Sequence, residues 1–253
     1  MKTIIFMHLH RTGGTTFLKL LDNIYNENET FTIDGKHFRE SAIEFSLLPL
    51  DQRSKYRLVK GHLFWGFHKY CPNQSDYITI LRNPIDRAIS QFRWHLRPEC
   101  AYPVSPDLTL SEFLESGKFI SADNGMTRLI SGKDRNDIDY GKCTDEMLKI
   151  AKNNLEHKFL VFGLTEYYDE TLILLKKILE WPKFPVYIKK NVHDKKPINQ
   201  NISKHEHEVL IKYNRYDIEL YEYAKKLFEE RIKKEASSFH SEVNLFKQLN
   251  SMK

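Results

Sequence analysis

The run Arg11-Thr-Gly-Gly-Thr-Thr16 has the residue types of an anion cradle. Gly13 and Gly14 let the backbone turn tightly and present its N–H groups, while the hydroxyls of Thr12, Thr15 and Thr16 and the Arg11 guanidinium supply further donors. Two other positions could act with it. His62, after Gly61, has an imidazole that titrates near neutrality and suits proton abstraction from a hydroxyl. Arg82 and Ser90, eight residues apart, could hold a second anion between a charge and a hydroxyl. Each has a plain alternative: turn glycines with a surface arginine, a histidine satisfying a strand end, a charge flanking a helix, a small residue at a helix contact. The cradle is not a nucleotide-hydrolysing P-loop, which requires Gly-Lys-Ser/Thr after a four-residue spacer.

The surrounding elements must bring these positions together. Residues 3–7 are β-branched and apolar and predict a buried strand, and from Thr15 the apolar residues Phe17, Leu20, Leu21 and Ile24 fall on one helix face. The cradle therefore sits at a helix N-terminus, where the helix dipole favours an anion. Residues 57–62, 77–81 and 159–163 predict further core strands. Asn83 and Pro84 open a helix that turns Ile85, Ala88, Ile89 and Phe92 inward and leaves Arg82, Arg87 and Ser90 for other work. Shorter helices are expected at 111–116, 124–131 and 144–154, then one bearing Leu172, Leu175, Ile178 and Leu179. A basic loop spans 189–201, and the capping box Ser203/Glu206 opens one long helix or two in series. Residues 27–57 carry weak local signals. Alternating strands and helices predict an α/β fold, a single P-loop-like domain with a mostly parallel β-sheet and helices on both faces. Ligands of such sheets bind at the C-terminal strand ends, where Arg11, His62 and Arg82 all fall.

With 253 residues, 41% hydrophobic and 13% aromatic, the chain can bury one large core. The expected domain is 1–235, with a polar tail at 236–253 that could hold a short helix. The net charge of +5 suits an anionic ligand but is too mild and dispersed for nucleic acid, and no nucleic-acid module is present. The three cysteines, Cys71, Cys100 and Cys143, are widely spaced and form no metal or disulfide pattern. No secretory signal and no transmembrane segment are expected, and a cytoplasmic setting is the default.

Phosphate-type loop, then Gly-His, then strand-Arg-Asn-Pro-x-x-Arg-x-x-Ser resembles the carbohydrate sulfotransferases that include the heparan sulfate 2-O-sulfotransferases. Further matches are Asn124-Gly-Met-Thr-Arg-Leu-Ile-Ser-Gly132, Phe162-Gly-Leu-Thr-Glu-Tyr-Tyr-Asp-Glu-Thr171 and Asn214-Arg-Tyr-Asp-Ile-Glu-Leu-Tyr-Glu-Tyr223, so the resemblance covers residues 3–233. It implies a sulfotransferase that moves a sulfuryl group from 3′-phosphoadenosine 5′-phosphosulfate (PAPS) to a hydroxyl of a carbohydrate or glycolipid acceptor, without metal. The loop Arg11, Thr12, Gly13, Gly14, Thr15, Thr16 would grip the 5′-phosphosulfate, Arg82 and Ser90 the 3′-phosphate, and His62 would be the general base. Family members commonly carry lysine at the position of Arg11; arginine keeps its proton, which makes Arg11 an electrostatic stabiliser rather than an acid. Some heparan sulfate enzymes have a second histidine where this chain has Lys60. Arg87, Arg128, Lys195 and Lys196 are secondary nucleotide candidates, with solvated charges as the plainer reading. His68, Arg93 and His95 are candidates for the acceptor cleft. The alternatives are a P-loop-type kinase, which lacks its lysine and its acidic residue at a strand end, and a non-catalytic nucleotide- or carbohydrate-binding protein.

Overall fold

The structure is a computed structural model describing residues 2–35, 37–133, 137–187 and 202–251. Its elements are β1 (Thr3–Met7), α1 (Gly14–Ile24), β2 (Thr30–Thr32), α2 (Phe38–Leu47), α3 (Leu50–Arg53), β3 (Leu58–Gly61), β4 (Ser75–Leu81), α4 (Pro84–His95), α5 (Leu110–Glu115), α6 (Gly125–Ser131), α7 (Asp145–His157), β5 (Phe159–Leu164), α8 (Tyr168–Ile178), α9 (Lys204–Lys233) and α10 (Ser237–Ser251). The five strands form one parallel sheet in the order β2-β3-β1-β4-β5. Every residue of β1 is buried. Successive side chains of a strand face opposite ways, so both faces of the sheet are covered.

The sheet register positions the chemistry. Met7 pairs with Gly61 and with Thr79. The residues that follow, His8 and His62, therefore leave the sheet side by side, and Arg82 leaves from the strand on the other side of β1. The Thr79 hydroxyl donates to the Met7 carbonyl at 2.7 Å and fixes the end of that pair.

Two segments ninety residues apart are joined by a buried hydrogen-bond network. Asp217, 0% exposed, accepts hydrogen bonds from the backbone N–H groups of Met126 and Thr127, from the Thr127 hydroxyl and from the Arg87 guanidinium. Asn124, in the left-handed conformation, accepts from the N–H groups of Tyr216 and Asp217. α9 is one helix with a kink at Asn214, whose side chain donates to the Leu210 carbonyl and accepts from Arg87. The motifs at 124–132 and 214–223 are thereby structural. Through Arg87 they hold α4, and hence Arg82 and Ser90, in place.

Where a polar tail with room for a short helix was expected at 236–253, the described residues form a longer helix that packs on the core. α10 is fifteen residues long, buries Phe239, Val243 and Phe246, and shares the main core with the sheet helices. Its apolar residues recur at spacings of three and four, so one face is core and the rest is solvated. The basic loop expected at 189–201 lies outside the described residues.

Candidate active site

α1 opens on Gly13, which has φ +81° and offers no side-chain cap, and its first turn contains no acidic residue. Its leading N–H groups are thus left to a ligand, with the helix dipole adding positive charge. α4 is built the opposite way: the Asn83 side chain accepts from the N–H groups of Ile85 and Asp86, at 3.0 and 3.2 Å. An anion at α4 must be held by side chains, and the sequence offers Arg82 and Ser90.

The structure brings these residues to Arg11. Arg11 adopts φ +65°, an uncommon conformation for a non-glycine residue. Its carbonyl accepts a hydrogen bond from Arg82 Nη1 at 3.0 Å, and its Nε donates to Ser90 Oγ at 3.1 Å. Its guanidinium lies 5.3 Å from the Trp94 ring centroid, and that of Arg97 lies 5.9 Å from the same ring. Burial, with Arg82 and Arg97 nearby, pushes the Arg11 pKa down to about 10, still charged at neutral pH. Among the described residues Arg11 has no carboxylate partner. Thr12, fully buried, turns its hydroxyl to the Leu9 carbonyl and shapes the loop from inside, whereas Gly13 and Thr15 are exposed. The Thr165 hydroxyl bridges the carbonyls of Thr12 and Leu81 at 2.9 and 3.0 Å, tying the loop to the end of β4. Glu166 accepts from the Asn83 N–H and from the Tyr221 hydroxyl. The motif at 162–171 is a brace for the cradle.

His62 lies beside this cradle. Its Nδ1 is 2.8 Å from the His8 carbonyl. A carbonyl can only accept, so Nδ1 carries the proton and Nε2 keeps its lone pair, the state a general base requires. The His8 and His10 rings both stack on His62, with centroids 4.4 and 3.8 Å away. Burial lowers the pKa of all three imidazoles. Two glycines make the arrangement possible: a Cβ on Gly14 would fall 2.0 Å from the His8 ring, and one on Gly35 would fall 3.1 Å from the His62 ring. Among the described residues no hydrogen bond joins Arg11 to His62; the guanidinium is turned toward Ser90 and Trp94 on α4.

A family model described as galactose-3-O-sulfotransferase matches residues 1–250. The chain belongs to that family. It is 24% identical to human galactose-3-O-sulfotransferase 2 over 195 residues, 70% of this chain and 48% of that protein. It is 23% identical to mouse heparan-sulfate 6-O-sulfotransferase 3 over 287 residues, 90% of this chain and 58% of that one. The chain thus spans about half the length of the curated relatives it matches. Among solved structures, mouse sulfotransferase SULT7A1 complexed with PAP aligns at a TM-score of 0.44 and 16% identity, covering 83% of this chain and 63% of that one.

Other expected site residues fall elsewhere. Arg87 and Arg128, read as solvated charges or nucleotide ligands, are 1% and 2% exposed and paired with Asp217 and Asp123. Arg128 also donates to the carbonyls of Asp123, Ile138 and Asp139, so both guanidiniums pin chain segments together. His68 bonds the Tyr77 hydroxyl near the beginning of β4, away from the strand ends that carry the cradle. His95 is buried beside Phe119, with its Nδ1–H donated to the Tyr102 carbonyl at 2.8 Å. Arg93, on α4, is half-buried. Lys195 and Lys196 lie outside the described residues. Trp94, Arg97, His8, His10 and Gly35 were not singled out from the sequence; the His8-x-His10 pair at a strand exit was a readable signal.

Proposed function

We propose that the chain is a PAPS-dependent carbohydrate sulfotransferase, acting by direct transfer to an acceptor hydroxyl. The observation that carries this reading is the meeting, at the C-terminal ends of β1, β3 and β4, of a cationic cradle whose Arg11 has no carboxylate partner among the described residues and a histidine with an unprotonated Nε2. The cradle fits the donor's anionic groups. The uncapped start of α1 (Gly13, Gly14, Thr15, Thr16) and Arg11 would hold the 5′-phosphosulfate, and Arg82 with Ser90 the 3′-phosphate. PAPS supplies the sulfuryl group when bound. His62 takes the proton of the attacking hydroxyl at Nε2, while its Nδ1–H keeps the ring fixed on the His8 carbonyl. Arg11 and the N–H groups of α1 stabilise charge gathering on the departing phosphate oxygen.

Family membership supports a carbohydrate-type acceptor. The narrower kinship to the heparan sulfate 2-O-sulfotransferases is part of this proposal, resting on motif order. Lys60, buried and paired with Asp22, stands where some of them have a second histidine. A reducing, cytoplasmic setting is proposed from Cys71, Cys100 and Cys143, all free thiols. Incubation with ³⁵S-labelled PAPS and a panel of galactosides, glycolipids and heparan-type oligosaccharides tests the reading. Transfer to at least one saccharide is expected, and adenosine 3′,5′-bisphosphate (PAP) should bind the protein. An absence of PAP binding would overturn it.

A further inference from the structure

The face of α4 that meets the cradle extends past the groups a nucleotide needs. Ser90, Trp94 and Arg97 fall at i, i+4 and i+7 and share that face. Arg82 is at the strand-end mouth of the helix, and Arg97 lies just past the far end, seven residues beyond Ser90. That is a rise of roughly 10 Å along the axis. The donor brings two anionic ends, and Arg11 with the start of α1 answers one while Arg82 with Ser90 answers the other. Arg97 remains. Its guanidinium rests on Trp94, the ring that also carries Arg11, and it adds to burial and Arg82 in lowering the Arg11 pKa. Among the described residues no carboxylate forms an ion pair with Arg97. His95, on the same turn, adds no competing positive charge at neutral pH, since burial lowers its pKa below the ordinary imidazole value.

A fold that keeps two guanidiniums on one half-buried indole has placed a charge for an outside anion to meet. We propose that Arg97, set on Trp94 beyond the nucleotide contacts, is a recognition residue for an acidic acceptor: a saccharide carrying a carboxylate or sulfate close to the hydroxyl that is modified. The proposal rests on the transfer reading above and deepens it to a substrate class, with Trp94 holding Arg97 at a fixed distance from Arg11. The competing explanation is a cation that merely complements the C-terminal dipole of α4.

The test is calorimetry on the full chain, first with PAP alone and then, on the PAP-loaded protein, with three tetrasaccharides. Chitotetraose, used fully N-acetylated, is neutral, a heparosan tetrasaccharide carries carboxylates, and its N-sulfated form adds sulfates, so the last two separate the two sources of charge. The parent should bind at least one acidic tetrasaccharide ten-fold or more tighter than chitotetraose. Arg97→Gln should shrink that preference to three-fold or less, Arg97→Lys should keep most of it, and both variants should bind PAP within two-fold of the parent. Equal affinity for neutral and acidic tetrasaccharides, or none for any of them, overturns the proposal. So does an Arg97→Gln variant that keeps the preference and loses only melting temperature, which is the helix-dipole result, or one whose PAP affinity falls with it. Failure of the parent to bind PAP overturns the transfer reading itself, and this inference with it.

Discussion

Replacing His62 with alanine removes the proposed proton acceptor, the 2.8 Å bond to the His8 carbonyl, and a ring stacked on both His8 and His10. The chemical loss is expected at 10²–10⁴ in turnover, about 3–5 kcal/mol of barrier. The fold loses one hydrogen bond, about 1 kcal/mol, together with the packing of a half-buried ring. At roughly 2–4 °C in Tm per kcal/mol for a domain of this size, the variant stays folded at assay temperature. Burial holds the His62 pKa below its ordinary value. The acid limb of kcat/KM in the parent is therefore expected below pH ~6.5, with a flat rate through neutrality.

The same sign governs stability. The folded-state pKa values of His8, His10 and His62 are all lowered, mainly by burial, so the unfolded chain takes up protons first as pH falls. The stability these groups contribute is present above pH ~6.5 and is lost as pH drops from there through their folded values. In His62→Ala that acid loss shrinks by one group but persists, because burial outweighs the coulombic effect of His62 on the other two. Turnover, PAP affinity and melting temperature measured on one preparation from pH 5 to 8 decide the matter. A folded His62→Ala protein turning over near the parental rate, or a parental acid limb above pH 6.5, refutes the mechanism.

Four other outcomes are expected. Arg82→Ala should erase most of the preference for PAP over AMP, roughly 1.5–3 kcal/mol for a charged hydrogen bond; equal calorimetric affinities in the parent would sink the 3′-phosphate assignment. Gly14→Ala drives a methyl into the His8 ring, 2.0 Å away, and should cut turnover by about ten-fold or more with a smaller effect on PAP affinity; unchanged turnover speaks against the histidine stack. Asp217→Asn leaves the Arg87 charge buried without its counterion and should lower unfolding free energy by about 3–5 kcal/mol in urea titrations, whereas a change under 1 kcal/mol contradicts the anchoring role. Phe246→Ala, at a fully buried position of α10, should cost ~3–5 kcal/mol; a neutral result makes the tail dispensable after all.

Four of the strands were readable because β-branched apolar runs in a sheet covered on both faces have no other plausible home. β2 was not: three residues, Thr30–Thr32, at a sheet edge, partly exposed, carry no periodic signal. The cradle was legible from its glycines and cations. The burial of Arg87 was not, since Asp217, the partner that makes it tolerable, stands 130 residues away. The His8-x-His10 spacing was readable, but the stacking of His10 on His62 was not, because it depends on the Met7–Gly61 register between distant strands. α10 was underestimated because Phe239, Val243 and Phe246 are few among polar residues, although their spacing was already that of a core-facing stripe.

The network at Asp217 also sets an order of assembly. Every group proposed to touch the donor lies between Arg11 and Ser90, yet the helix carrying the last of them is anchored by a carboxylate far downstream. As the chain leaves the ribosome, residues 11–90 emerge with the whole cradle before the counterion of Arg87. A buried cation without its partner is too costly to hold, so α4 is expected to settle only when 214–217 arrives to close against 124–127. Fragments ending before Asp217 should carry every proposed donor contact and still fail to retain PAP.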